Sequence, residues 1–228
     1  MSTIADNIAQ VRSRIRAAEQ AAQRTGQSVH LLAVSKTKPA QALREAYAAG
    51  VRDFGENYLQ EALGKQAELT DLPLIWHFIG PIQSNKTRAI AEHFDWVHSV
   101  DRLKIAQRLS EQRPAGLPPL NICIQVNVSG EASKSGCTPA DLPALAAAIG
   151  ALPNLKLRGL MAIPEPTEDR AAQDAAFAAV QRLQASLDLP LDTLSMGMSH
   201  DLESAIAQGA TWVRIGTALF GARDYSAG

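Results

Sequence analysis

Apolar runs of four to nine residues alternate with stretches of helical period along almost the whole chain. The runs cover 29–36, 51–54, 74–79, 96–100, 120–128, 157–163, 194–198 and 212–220, eight in all. Between them lie stretches over 39–50, 57–70, 84–94, 102–112, 139–151, 168–187 and 201–209, most entered through Pro, Ser, Asp or Asn and several left through Gly or Pro. Strands joined by helices of this length pair in parallel, because a parallel neighbour can only be reached by a long crossover. Ahead of the first run, Ile4, Ile8, Val11, Ile15 and Ala18 recur at intervals of three and four, predicting one additional helix closed by Gly26.

Eight strand–helix units predict an α/β fold closed into a single (β/α)8 TIM-type barrel. The competing open, dinucleotide-binding sheet would place a G-x-G-x-x-G turn after an early strand. Here the first run leads into Ser35-Lys36-Thr37-Lys38, which contains no glycine. No Pro/Gly/Ser-rich linker or break in composition interrupts the pattern, so 1–228 reads as one barrel domain with residues 1–27 forming a helix packed on it. A chain of 228 residues with 46% hydrophobic content is long enough to bury such a core.

Charge changes the picture only by exclusion. With 22 basic and 23 acidic residues the net charge is -1, so nothing draws the chain as a whole to nucleic acid or to an anionic membrane. The first 26 residues lack the apolar core of a signal peptide, and no segment approaches the roughly 18 continuous apolar residues of a membrane span. A cytoplasmic protein acting on a small molecule or another protein is the expectation. Cys123, within a strand, and Cys137, in a loop, show neither metal-ligand spacing nor a disulfide framework, and both read as free thiols in a reducing compartment. No metal site is expected from His77, His93, His98 or His200, whose spacing matches no ligand motif.

In a (β/α)8 barrel the site is built from the loops that follow the C-terminal strand ends. Lys36 follows the first strand. Partial desolvation at a barrel mouth lowers an amine's pKa and frees it to attack an aldehyde, although a loop lysine taken alone is most often simply solvated. Asn57, Ser84, Asp101 and Asp201 also fall at strand ends, where helix capping explains each of them taken singly. Loops after strands seven and eight are the usual phosphate site of this fold, through backbone N–H groups, hydroxyls and a helix N-terminus. Ser199, Gly216 and Thr217 fit those roles, the competing reading being that the glycine relieves crowding and Ser199 caps the next helix. Period two puts Trp212, Arg214 and Gly216 on one face of the eighth strand and Val213 with Ile215 on the other, so Arg214 points into the barrel toward a structural partner or a ligand acceptor. His77 reads as a satisfied histidine of the barrel interior.

Several segments together carry a resemblance: Leu32-Ala33-Val34-Ser35-Lys36-Thr37-Lys38-Pro39, Phe54-Gly55-Glu56-Asn57-Tyr58, the run from Trp76 to Lys86, Gly159-Leu160-Met161-Ala162-Ile163-Pro164, Leu194-Ser195-Met196-Gly197-Met198-Ser199 and Val213-Arg214-Ile215-Gly216-Thr217. In their order and spacing the chain resembles, end to end, the pyridoxal phosphate homeostasis proteins of the YggS/PROSC type, which look like the N-terminal barrel domain of alanine racemase (fold type III) standing alone. The resemblance implies that Lys36 forms the internal aldimine of pyridoxal 5'-phosphate, that Ser199, Gly216 and Thr217 hold its phosphate, that Asn57 and Met196 line the cofactor, and that Arg214 faces the pyridine nitrogen. It assigns no role to His77, Ser84 or Lys134, and it places His200 where many relatives carry an acidic residue.

An arginine opposite the ring nitrogen keeps its protons, so the ring is a weaker electron sink than one paired with a carboxylate. A racemase of this fold adds a tyrosine base from a second domain and partner subunit. The tyrosines here, Tyr47, Tyr58 and Tyr225, offer nothing comparable. The expectation is therefore a non-catalytic carrier of pyridoxal phosphate, with no catalytic residue of its own, that acts as a monomer and hands the cofactor to pyridoxal-phosphate-dependent apo-enzymes. Two other readings stand beside it: a single-domain racemase or lyase with the same cofactor, and a class I aldolase using Lys36 on a phosphosugar.

Overall fold

A computed structural model describes residues 1–26, 28–132 and 135–222. Its strands are β1 (His30–Val34), β2 (Asp53–Glu56), β3 (Ile75–Phe78), β4 (Trp96–Val100), β5 (Leu120–Gln125), β6 (Leu155–Met161), β7 (Thr193–Ser195) and β8 (Trp212–Ile215). All pair in parallel and in chain order, and β8 returns to β1 to close a barrel. Helix α1 (Ile4–Ala21) precedes β1. The crossovers are α2 (Ala40–Ala48), α3 (Leu59–Glu68), α4 (Thr87–His93), α5 (Leu103–Gln112), α6 (Leu142–Gly150), α7 (Arg170–Ala185) and α8 (Leu202–Ala207), with α9 (Thr217–Phe220) after β8. Among the described residues no helix is long and apolar enough to cross a membrane.

Period two divides each strand between two cores. Outward residues such as Ala33, Phe54, Val97, Ile122, Val213 and Ile215 join the helices in the larger one. Leu32, Ile79, Trp96, Cys123, Met161 and Trp212 fill the barrel itself. A parallel sheet covered on both faces needs apolar residues on both, which is why the strands read as continuous apolar runs.

The last run is shorter as a strand than its sequence predicts. Instead of extending over 212–220, β8 stops at Ile215; Gly216 occupies the N-cap position and Thr217 begins α9. An apolar run does not by itself separate strand from buried helix, and Leu219 is as fully buried on a helical turn as it would be on a strand. Gly216 and Thr217 therefore lie at a strand end rather than inside one.

Helix α1 opens with a capping box between Thr3 and Asp6 and buries Ile8, Val11, Ile15 and Ala18. Its polar residues reach across to the closing end of the barrel. Arg14 makes a two-pronged bond to Glu203 at 2.7 and 2.9 Å and donates to the Ser199 carbonyl at 2.8 Å. Asn7 Nδ2 donates to the Leu219 carbonyl at 2.8 Å.

Candidate functional site

Lys36 lies two residues beyond β1, in a turn closed by the Lys38 N–H on the Ser35 carbonyl at 3.1 Å. Thr37 takes a φ of +66°, a costly conformation for a β-branched residue. Two groups from α3 hold it there. Glu61 accepts the Thr37 N–H at 2.6 Å, and Lys65 Nζ donates to the Ser35 carbonyl at 2.7 Å. Lys65 also pairs with Glu56 and Glu61, each at 2.7 Å. Glu56 is wholly enclosed, accepts from the Ser35 hydroxyl at 2.7 Å, and leaves its Oε2 without a partner among the described residues. Burial pushes its carboxyl above the ordinary range, against the opposing pull of Lys65 and Ser35. Lys65 and Glu61 are missing from the sequence reading, though a signal existed: Lys65 falls on the Leu59–Ala62 stripe of α3, four residues after a glutamate.

A cavity of about 320 Å³ opens at this end of the barrel, and its wall includes Lys36, Asn57, Ser199, Arg214, Gly216 and Thr217. Six of the seven residues predicted to hold a ligand thus meet around one space. The exception is Met196, which is fully buried in the outer core while Met198 takes a place on the wall. The reason is the pleat: Ser195 is committed to the barrel interior by its bonds to His98 and Arg214, so its neighbour Met196 must face the helices.

Thr217 Oγ1 and Ser199 Oγ stand 3.5 Å apart, joining the loops after β7 and β8. A Cβ on Gly216 would reach only ordinary contact with Val34, at 3.5 Å, so its absence leaves room in the cavity instead of relieving an internal clash. Asn57 caps no helix, since Tyr58 is the N-cap of α3. Its Oδ1 is buried and meets no hydrogen-bond donor among the described residues. Gly80 lets that loop come close, for a Cβ there would lie 2.5 Å from the Asn57 carbonyl oxygen.

Arg214 is almost fully buried and meets only neutral acceptors: Nη1 donates to Ser195 Oγ at 2.8 Å and Nη2 to the Ala162 carbonyl at 2.9 Å. Burial lowers its pKa to about 10, which still leaves a cation at neutral pH, without a salt bridge among the described residues. His200 lines the cavity with Nε2 3.4 Å from an Asp201 oxygen. Ser84 offers only its carbonyl, to Thr87 and Arg108, and does not line the cavity. Asp101 accepts the Gly136 N–H rather than capping α5. Lys134 and Tyr225 lie outside the described residues. Among the described residues no group of three or more His, Cys, Asp or Glu side chains could hold a metal ion.

An amine, a hydroxyl pair, a carboxamide with an unpartnered buried oxygen and a guanidinium without a salt bridge among the described residues, set around one cavity, suit a small anionic carbonyl compound with a further acceptor atom. The comparisons narrow that class. Residues 4–224 match the family model described as the N-terminal domain of alanine racemase. The pyridoxal phosphate homeostasis protein of Pseudomonas aeruginosa is 80% identical over 227 residues, covering 100% of this chain and 99% of that one. The chain belongs to the pyridoxal phosphate homeostasis protein family. The family member from Escherichia coli K12 is 56% identical over 232 residues, with 99% of each chain covered. Among solved structures, PipY of Synechococcus elongatus with pyridoxal phosphate bound superposes with a TM-score of 0.85 at 45% identity, over 96% of this chain and all of that one. The barrel of the family is thus the alanine racemase N-terminal fold.

Proposed function

We propose that this protein is a pyridoxal 5'-phosphate carrier: a single barrel domain that holds the cofactor covalently and reversibly on Lys36, limits the free aldehyde in the cytoplasm, and passes it to apo-enzymes that need it. The observation that carries this reading is the meeting of Lys36, the Ser199–Thr217 hydroxyl pair and Arg214 around one cavity. The homeostasis proteins named above and the pyridoxal-phosphate-bound PipY support the choice of cofactor. The fit is also chemical, because Asn57 has an unpartnered buried Oδ1 and Arg214 donates only to neutral acceptors among the described residues, where a polar ligand is expected.

When bound, the cofactor supplies an aldehyde open to amines and a ring able to withdraw electrons. Lys36 brings the amine, on a turn held rigid from α3. Ser199 and Thr217 bring donors for the phosphate. Arg214 lines the cavity and, staying protonated, would leave a facing ring nitrogen as a bare acceptor, which weakens electron withdrawal. Among the described residues no tyrosine lines the cavity; Lys38 is bonded to the Ala222 carbonyl at 2.9 Å and His200 lies beside Asp201. The tyrosine base of a two-base proton shuttle is thus missing from the wall among the described residues, which supports reading the protein as a monomeric carrier without amino-acid turnover, with neither nucleic acid nor membrane as partner.

Borohydride reduction of the loaded protein followed by peptide mapping tests the assignment: label on Lys36 is expected, and label mainly on Lys38, Lys86 or Lys134 overturns it. Assay against a panel of amino acids tests the carrier role. Turnover of a specific amino acid at about 1 per second or faster would reject it in favour of a racemase or lyase.

A further inference from the structure

Three polar side chains of the barrel interior, His77, His98 and Ser195, are wholly enclosed and take no direct part in the cavity wall. They join end to end. His77 Nε2 lies 2.8 Å from Asp53 Oδ1, His77 Nδ1 lies 2.9 Å from His98 Nε2, and His98 Nδ1 lies 2.7 Å from Ser195 Oγ. Ser195 Oγ in turn accepts from Arg214 Nη1 at 2.8 Å. The chain thus ends at the guanidinium of the cofactor cavity.

With both imidazoles neutral, the carboxylate at one end and the guanidinium at the other give every bond between them one direction. A guanidinium can only donate and a carboxylate can only accept. Ser195 Oγ accepts from Arg214, which leaves its single hydrogen for His98 Nδ1. His98 then carries its own hydrogen on Nε2 and donates it to His77 Nδ1, and His77 donates from Nε2 to Asp53. Both imidazoles are neutral in this arrangement. Burial, outweighing Asp53 at His77 and reinforced by His77 and Arg214 at His98, favours the same state. Two indoles shield the chain from water: Trp96 stacks on His77 with centroids 5.4 Å apart, and Trp212 meets it edge-on at 4.9 Å.

Asp53 stands at the opposite end of the barrel, as the first residue of β2. It lines a separate hollow of about 410 Å³ together with Arg12, Arg16, His30 and Arg52. A fully satisfied polar chain in an apolar barrel is rigid, because any break leaves an enclosed polar atom without a partner.

We infer that Asp53, His77, His98 and Ser195 form a one-way hydrogen-bond relay that positions Arg214, so that the orientation of the guanidinium toward the cofactor is set from the far end of the barrel. The four are positioning residues, acting on the cofactor only through Arg214. This inference deepens the carrier reading and rests on it wherever bound cofactor is the readout.

The relay makes a prediction that needs no cofactor. In the cofactor-free, 15N-histidine-labelled protein, imidazole NMR should show His77 and His98 neutral with the hydrogen on Nε2; an Nδ1–H or an imidazolium at either position overturns the relay. Titration with pyridoxal 5'-phosphate supplies the second arm. Ser195→Ala should weaken binding by about tenfold, the scale of one hydrogen bond to a charged group, and Asp53→Ala should weaken it in the same sense. The double variant should bind no more weakly than Ser195→Ala, since the chain is then already cut. Fully additive losses, or unchanged affinity in Ser195→Ala, reject the proposal. A wild type that binds no pyridoxal phosphate sinks the carrier reading instead, and the tautomers then decide the relay alone. They also decide it if a variant fails to fold.

Discussion

Lys65 Nζ donates to the Ser35 carbonyl at 2.7 Å, one residue before Lys36. The last peptide of the β1 turn is thus held by a buried ammonium from the following crossover helix. The same ammonium neutralises Glu56, and Glu61 completes the group by taking the Thr37 N–H. A strained turn persists where its surroundings determine it more than once, and here three side chains do so.

Removing Lys65 strands an enclosed carboxylate. Lys65→Met should destabilise the protein by about 3–5 kcal/mol, read as a lower urea midpoint. Adding Glu56→Gln should recover most of that loss, because the charge left unpaired is then gone. A double variant no more stable than Lys65→Met would show that the pair does not act as described.

Glu56 also sets a pH dependence. Its native pKa is raised, chiefly by burial, so the folded protein holds this proton more tightly than the unfolded chain. The stability gained is present in full below the unfolded value, about pH 4.3, and is lost as pH rises through the native value. Denaturation of wild type and Glu56→Gln across that range should show Gln gaining relative to wild type as pH rises. Parallel curves would remove Glu56 as the source.

Ser199→Ala and Thr217→Ala each delete one hydroxyl from the pair spanning the last two loops. Each should weaken pyridoxal phosphate binding by about 1.5–3 kcal/mol, the value of a hydrogen bond to a charged group, while Lys36 still reacts with the aldehyde. Equilibrium titration gives the first quantity and the visible band of the bound cofactor the second. Unchanged affinity in both variants would move the phosphate elsewhere.

Gly80→Ala would drive a methyl against the Asn57 carbonyl, 2.5 Å from the new carbon. Backbone is harder to move than a side-chain tip, so a cost of about 1–3 kcal/mol in thermal or urea stability is expected. Cofactor affinity should fall with it, since the displaced residue is on the cavity wall. Wild-type stability and affinity together would mean that the loop has slack the geometry does not show.

The two thiols should be silent in the folded state. Burial pushes Cys123 up to about 12 and Cys137 up to about 11, and thiolate is the reactive form. Alkylation near neutral pH should therefore track unfolding, with both sites modified in denaturant and neither modified quickly without it. Rapid native labelling at Cys137 would contradict its burial.

The barrel was legible because its strands are covered on both faces and each is followed by a crossover, which writes the alternation into the sequence. The gathering of strand-end residues around one cavity was legible for the same reason, Lys36 and Arg214 among them. What failed was finer. The resemblance puts Met196 beside the cofactor, whereas the pleat turns it outward. The run 212–220 carries the expected strand past Thr217 because an apolar run does not declare its period. Lys65, His98 and Ser195 escaped because each looks ordinary on its own element and acquires meaning only from partners 30, 21 and 19 positions away, respectively Ser35, His77 and Arg214.

Helix α1 grips the corner where Ser199 meets Thr217 from outside, Arg14 on the Ser199 carbonyl after β7 and Asn7 on the Leu219 carbonyl in α9. The corner therefore has a mechanical owner that never approaches the ligand. Tension applied to the first turns of α1, by a fused partner or an altered helix register, would be felt as slackness at Ser199 and α9 before it was felt in the barrel wall. The earliest residues of the sequence behave as a clasp on the latest.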